Sequence, residues 1–173
     1  MGLKLATLAY LRDGGRTLML RRTGSGDYHR GRFNGLGGKF EPGETPESCL
    51  AREVREESGL VVEEAHLKGV ITFPLFDGHD DWYAFVYVVP RFSGQLRASR
   101  EGSLHWVPDA ELADLPLWPG DRVFLPWLDG EALFSARFEY REGAFRGYSA
   151  VFYGPGGVVM RVERGGPDDG ASA

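Results

Sequence analysis

The sequence has little cysteine, no long apolar run and no excess of positive charge. Its one cysteine, Cys49, excludes a disulfide within the chain and suits a reducing compartment. No apolar run is long enough for a membrane span or a signal peptide. The net charge of −5 argues against a nucleic-acid coat or a polybasic membrane anchor. We therefore expect a cytoplasmic, soluble protein that binds neither membranes nor nucleic-acid polymers.

The length and composition are those of one globular domain. The chain has 173 residues, of which 42% are hydrophobic and 26% charged, enough to bury an ordinary core. No internal repeat or linker divides it. We expect a domain over residues 1–154 and an extension over residues 155–173. Glycine, proline, aspartate, serine and alanine dominate from about residue 165, so we expect the extension to be flexible at least from there.

Hydrophobic patterning predicts a mixture of strands and helices. Two apolar runs at 3–11 and 17–22 flank Asp13-Gly14-Gly15, which is typical of a β-hairpin. Further strands are predicted at 61–75, 82–92, 101–107, 134–140 and 148–153, and short helices at 109–113 and 119–128.

A longer helix is predicted between Thr45 and Gly59. Thr45 is a suitable N-cap, Pro46 fits the first helical position, and Gly59 can end the helix in a left-handed conformation. The apolar face is predicted to consist of Leu50, Ala51 and Val54, with Glu57 near its edge.

Three glutamates of this helix, Glu53, Glu56 and Glu57, are predicted to lie on one side of it. Like charges at this spacing destabilise a helix, so something must offset the repulsion. Arg52 and Arg55 could do so as salt-bridge partners on a solvated surface. A hard divalent cation that also binds a phosphate substrate is the other explanation.

Glycines just before the helix are compatible with the second explanation. Gly37 and Gly38 permit backbone conformations that bring carbonyl oxygens close to a ligand. Carboxylate and carbonyl oxygens are the ligands that Mg²⁺ and Mn²⁺ prefer. Such an ion can polarise a phosphorus atom and lower the pKa of a bound water molecule that then attacks it.

The spacing of these residues resembles a known signature. Gly38 is followed after five residues by Glu44 and after seven more by Arg-Glu-Val-Arg-Glu-Glu-Ser-Gly-Leu at 52–60. This segment resembles the signature of the Nudix hydrolase superfamily at every defined position. The resemblance implies an α/β fold, the Nudix α/β/α sandwich with a central mixed β-sheet, and hydrolysis of nucleoside diphosphates linked to another group.

The resemblance also implies roles for individual residues. Mg²⁺, or alternatively Mn²⁺, would bind the Gly37 carbonyl and the carboxylates of Glu53, Glu56, Glu57 and Glu101. Arg52 and Glu44 would orient these ligands, as groups that bond to metal ligands commonly do. Glu53 or Glu101 would be the general base. Glu101 is also explained as a solvated loop residue.

Three other segments, 31–39, 69–74 and 117–121, resemble the MutT-type branch, including its human-like and MutX-like members, which removes oxidised purine nucleotides. This implies that Asn34 and Asp121 bind the purine edge and that Trp118 and Tyr28 hold its face. Lys39 would contact phosphate. Structural roles are also open: a turn for Asn34, a core anchor for Trp118, support of a helix N-terminus for Asp121, and a solvated side chain for Lys39.

One position departs from the human-like pattern. Those members have two adjacent acids after the Trp-Pro element, whereas this chain has Gly120 before Asp121. We therefore expect narrower base recognition, centred on guanine-type edges.

The sequence thus predicts a MutT-like, magnesium-dependent hydrolase of nucleoside triphosphates. It would release the monophosphate and pyrophosphate from nucleotides such as 8-oxo-dGTP, a nucleotide-sanitation step that supports DNA repair. Dinucleoside polyphosphates, nucleotide sugars or capped RNA ends are alternative substrates. A non-catalytic nucleotide sensor is the other alternative, although a pure binder would not need the acidic set. We expect a monomer or a small homo-oligomer.

Overall fold

The computed structural model describes residues 2–23 and 31–167. In chain order, the strands and α-helices of this part are β1 (Leu3–Asp13), β2 (Arg16–Arg22), β3 (Phe33–Asn34), α1 (Pro46–Ser58), β4 (Leu60–Phe73), β5 (Asp81–Gly94), β6 (Gly102–Pro108), α2 (Pro119–Phe124), β7 (Leu133–Arg141), β8 (Ala144–Tyr153) and β9 (Val159–Gly165). Short 3-10 helices occupy Asp109–Asp114, Leu125–Asp129 and Pro155–Gly157. No helix of the described residues is both long and apolar enough to cross a membrane.

The chain forms two compact units. The first, here called the helix unit because it contains α1, comprises Ala6–His66 and Tyr87–Leu117. The second, here called the C-terminal unit, comprises Met1–Leu5, Leu67–Val86 and Trp118–Ala173.

In the helix unit, β2 has a neighbour on each edge. β6 pairs with it antiparallel along its whole length, from Arg16↔Pro108 to Arg22↔Gly102. The other edge pairs first with the end of β1 and then with β3. Beyond β3 the chain bridges to β1 at Leu36 and Lys39. These two bridges place Gly37 and Gly38, the glycines of the signature, beside β1.

The helix α1 buries one face and exposes the other. Leu50 and Val54 are buried, as the sequence predicts. The prediction for Ala51 is wrong, because its side chain is exposed. Glu57, predicted at the edge of the apolar face, is part of the buried face. A carboxylate therefore takes a position that the apolar pattern would give to a hydrophobic residue.

The C-terminal unit contains a mixed sheet. β7 runs parallel to β4, pairing Phe134 with Gly69, and antiparallel to β8. β8 in turn pairs antiparallel with β9. Trp127, in the 3-10 helix after α2, packs edge-on against Phe134 and Phe152 of this sheet, with ring centroids 5.2 and 5.0 Å away. The predicted helix at 119–128 is thus divided into α2 and a 3-10 turn.

Candidate metal and phosphate site

The ends of α1 are fixed by local hydrogen bonds. The Ser48 N–H donates to the Thr45 hydroxyl at 3.2 Å, and the Thr45 N–H donates to the Ser48 hydroxyl at 2.9 Å. Gly59 has a φ of 78° and donates its N–H to the Arg55 carbonyl at 2.9 Å. These contacts confirm the predicted start and end of the helix, and they set which of its side chains face the glycine segment.

Glu57 is a buried carboxylate bonded to the glycine segment. Its side chain is 4% exposed, and its Oε2 accepts the Gly37 N–H at 2.7 Å. Among the described residues, its Oε1 accepts no hydrogen bond, and the Arg22 Nη2 lies 3.9 Å away. Burial raises the pKa of Glu57 to about 8, and the negative charges of Glu101 and Glu53 contribute to the rise.

Gly37 and Gly38 allow the glutamate carboxylates of α1 to lie close to the backbone of the glycine segment. Gly37 has a φ of 136°, and a Cβ on it would lie 2.1 Å from the Thr7 carbonyl oxygen. A Cβ on Gly38 would lie 2.4 Å from Oε1 of Glu53. The Glu53 carboxylate therefore rests directly against the Gly38 backbone, where any larger residue would displace it.

Arg52 connects the glutamates of the signature. Its Nη1 donates to Glu53 Oε1 at 2.8 Å and to Glu56 Oε2 at 3.3 Å. Its Nε and Nη2 bind the two oxygens of Glu44, and Nη2 also donates to the Lys39 carbonyl at 2.9 Å. The Arg52 hydrogen bonds hold the pKa of Glu44 at about 2. The guanidinium thus offsets the repulsion between neighbouring glutamates.

Glu101 approaches the same carboxylates from β6. The β2–β6 register pairs Arg22 with Gly102, so the preceding residue, Glu101, lies near Arg22, whose Nη1 donates to Glu101 Oε2. Burial is the main cause of the raised pKa of Glu53, and the charges of Glu56 and Glu101 also raise it. Arg22 is the residue that sequence reasoning missed, because no signature spacing links β2 to the helix.

The oxygen-rich site has the chemistry of a hard divalent cation site. Its donors are carboxylates, and Glu57 offers a buried oxygen without a hydrogen bond among the described residues. Within 2–23 and 31–167, however, no three Asp, Glu, His or Cys side chains are gathered as metal ligands would be. Arg52 binds Glu53 and Glu56, whereas Glu57 accepts the Gly37 N–H.

Two of the predicted substrate-binding residues lie in the helix unit. Asn34 pairs with Leu20 in the sheet, and its buried Oδ1 has no hydrogen-bond partner among the described residues. Lys39 is exposed and forms a bridge to Ala6 of β1. Tyr28 lies outside the described residues.

Two further predicted substrate-binding residues, Trp118 and Asp121, lie in the C-terminal unit. Trp118 is 6% exposed and packs edge-on against Phe76 and Tyr140, with ring centroids 5.9 and 6.0 Å away. Asp121 is half-buried in the first turn of α2, where its N–H donates to the Trp118 carbonyl at 3.0 Å.

Gly120, between these residues, is surrounded by aromatic side chains. Its N–H donates to the Tyr140 hydroxyl at 2.9 Å. A Cβ at this position would lie 2.7 Å from that hydroxyl and 2.9 Å from Cδ1 of Phe138. An acid here would require these aromatic residues to move, which explains why glycine stands at this position.

Comparison with known proteins confirms the predicted fold and the resemblance. The model of the NUDIX domain family matches residues 2–128. The chain is 36% identical over 116 residues to the uncharacterized Nudix hydrolase YvcI of Bacillus subtilis, covering 64% of this chain and 73% of that protein. It is 30% identical over 140 residues to the oxidized purine nucleoside triphosphate hydrolase of Mus musculus, covering 80% and 88%. The crystal structure of a MutT protein from Bacillus halodurans superposes with a TM-score of 0.71 at 25% identity, covering 93% of this chain and 97% of that one.

Proposed function

This chain belongs to the Nudix hydrolase family, and from that premise we propose that it hydrolyses oxidised purine nucleoside triphosphates to the monophosphate and pyrophosphate. The observation that carries the proposal is the buried Glu57 carboxylate, bonded to the Gly37 N–H within the electrostatic reach of Glu53 and Glu101. Burial and the nearby negative charges make ionisation of Glu57 unfavourable, and a divalent ion bound with substrate phosphates would offset that cost.

Nudix hydrolases generally depend on a divalent metal, and we assign Mg²⁺ as the ion of this one, with Mn²⁺ able to replace it. Its ligands would be the Gly37 carbonyl and the carboxylates of Glu53, Glu56, Glu57 and Glu101. The ion would supply a nucleophilic water and polarise the attacked phosphorus. Arg52 positions Glu53 by donating a hydrogen bond to its carboxylate, and Glu44 holds the Arg52 guanidinium by accepting from it.

The proton of the attacking water would go to Glu53 or to Glu101. Burial raises the pKa of Glu53, which strengthens it as a base. The Glu101 side chain is 48% exposed and contacts Arg22, so it is open to a water molecule. Glu53→Gln and Glu101→Gln distinguish them, because only the variant that lacks the base loses the rise of kcat with increasing pH, measured at saturating metal and nucleotide.

We propose that four residues bind the purine base of the substrate and that Lys39 contacts its phosphates. Asn34 Oδ1, which has no hydrogen-bond partner within the described part of the chain, supports a role for this amide in binding the purine edge. The Asp121 carboxylate can accept purine N–H groups. Trp118 and Tyr28 would hold the face of the base. The name of the mouse relative supports an oxidised purine, with 8-oxo-dGTP as the first substrate to test.

The test is a nucleotide panel with the purified full chain. It comprises 8-oxo-dGTP, an oxidised dATP, dGTP, dATP, ADP-ribose and a dinucleoside polyphosphate, each with Mg²⁺, with Mn²⁺ and with a chelator. We expect the highest kcat/KM for 8-oxo-dGTP, metal dependence, and pyrophosphate as a product. Faster cleavage of ADP-ribose or the dinucleoside polyphosphate would refute the proposed substrate class. Metal-independent turnover would refute the proposed metal site.

We further place this activity in the cytoplasm, where it would remove oxidised nucleotides before their use in DNA synthesis. The substrate is a small molecule, so neither a nucleic-acid polymer nor a membrane is needed as a partner. The negative net charge of the chain supports that assignment.

A further inference from the structure

The strand β9 leaves an apolar edge on the C-terminal unit. It pairs with β8 on one side, from Tyr148↔Gly165 to Tyr153↔Val159, and it is last in the order of the described strands. Val159, Met160 and Val162 are 54%, 66% and 58% exposed. Proteins usually protect such an edge with charges, proline or a covering segment, because it is a template for another strand.

Three charged residues interrupt the apolar edge, and two of them, of opposite sign, share one face. Arg161 and Glu163 lie on one face of β9, with Arg161 Nη2 3.5 Å from Glu163 Oε2. The Arg161 guanidinium lies over the Phe152 ring, 4.0 Å from its centroid, and Glu163 accepts the Tyr148 hydroxyl at 2.7 Å. Both charges are therefore held in place along the strand.

This pattern is complementary to itself. In an antiparallel pair of two β9 strands centred on Val162, each Arg161 lies opposite the Glu163 of the other strand. A pair centred on Arg161 or on Glu163 would instead place like charges opposite each other, which is unfavourable. The charges thus select one register, and a surface that complements itself fits a two-fold interface.

We propose that the β9 edge is a homodimer interface, in which β9 pairs antiparallel with β9 of a second copy about Val162. The exposed apolar side chains supply the driving force, and the two Arg161–Glu163 pairs set the register. The interface lies in the C-terminal unit and uses none of the residues assigned to catalysis. It therefore stands independently of the proposed function.

Charge reversal tests the interface in the full-length protein. Arg161→Glu and Glu163→Arg should each weaken dimerisation about tenfold or more by placing like charges opposite each other. An equimolar mixture of the two variants should form heterodimers, because each now complements the other. Arg164→Glu is the matched control, since it changes the charge of β9 equally but faces Met160 of the copy. Sedimentation over a dilution series measures the association.

Cross-linking gives a second, independent measurement. In the proposed register, Val162→Cys places the two new thiols directly opposite each other, whereas the Arg164→Cys thiols are separated by about 13 Å along the strands. Mild oxidation with oxidised glutathione should therefore link the first variant and not the second. A wild-type protein that is monomeric throughout the dilution series would overturn the proposal. So would a dimer that responds alike to all three charge reversals, or equal cross-linking of the two cysteine variants.

Discussion

Arg52 and Glu44 form a two-point ion pair, with Nε 2.7 Å from Oε1 and Nη2 2.9 Å from Oε2. The same guanidinium donates to Glu53 and to the Lys39 carbonyl. One side chain of α1 thus joins the segment before the helix to a proposed metal ligand. The geometry of this contact, as well as its charge, determines where Glu53 lies.

Arg52→Lys should therefore lower the affinity for Mn²⁺. A lysine keeps the charge but cannot reproduce the planar two-point contact while also binding Glu53. We expect a loss of about 10- to 100-fold in affinity, measured by titration with electron paramagnetic resonance. Arg55→Lys, an exposed substitution on the same helix, is the control. Equal affinities in the two variants would remove Arg52 from the positioning role.

Glu57→Gln should separate catalysis from folding. A glutamine oxygen can still accept the Gly37 N–H, so the local structure should persist. We expect turnover to fall at least about 100-fold, because a proposed metal ligand loses its charge. The metal-free variant should be no less stable to urea than the wild type, and above about pH 8, where Glu57 ionises, it should be more stable because it carries no buried charge. Glu63→Gln, on an exposed acid of β4, should change neither quantity. Near-normal turnover of Glu57→Gln would disprove the metal assignment.

The residues that the sequence predicted well are those governed by local rules. The caps of α1 and the bond of Arg52 to Glu53 and Glu56 follow from spacing within one helix. Arg22 could not be found in this way, because its contact with Glu101 depends on the β2–β6 register. Strand β9 was also missed, since it follows a glycine-rich turn and is held by pairing with β8. Tertiary pairing, which sequence spacing does not encode, determines both.

Base selectivity should follow the single acid in α2. The space beside Gly120 is filled by Tyr140 and Phe138, so a second acid is absent and Asp121 would act alone. We expect 8-oxo-dGTP to be hydrolysed with a clearly higher kcat/KM than an oxidised dATP. Asp121→Asn should lower kcat/KM for 8-oxo-dGTP about 10- to 100-fold, the cost of losing a hydrogen bond to a charged group. Comparable turnover of both oxidised purines by the wild type would contradict this prediction.

Alanine substitutions at Gly37 and Gly38 should affect different properties of the protein. Gly37→Ala adds a Cβ that collides with the Thr7 carbonyl and strains a positive φ, so we expect a loss of about 1–3 kcal/mol in unfolding free energy. Gly38→Ala instead collides with the Glu53 carboxylate, which can rotate away. Its main effect should therefore be on metal affinity and turnover. Urea unfolding and Mn²⁺ titration of both variants measure the contrast, and equal stability losses would argue against it.

Arg22 contacts Glu101 and lies 3.9 Å from Glu57. Without metal, its positive charge therefore partly neutralises the same carboxylates that a metal ion would bind. Arg22→Met should remove this compensation and lower the Tm measured with a chelator. The same variant should gain more Tm from Mn²⁺ than the wild type does, because the metal then relieves a larger repulsion and no longer competes with a guanidinium. Arg21→Met is the control, since Arg21 lies over the Phe33 ring instead. If Mn²⁺ raises the Tm of Arg22→Met and wild type equally, Arg22 does not share the electrostatic environment of the metal ligands.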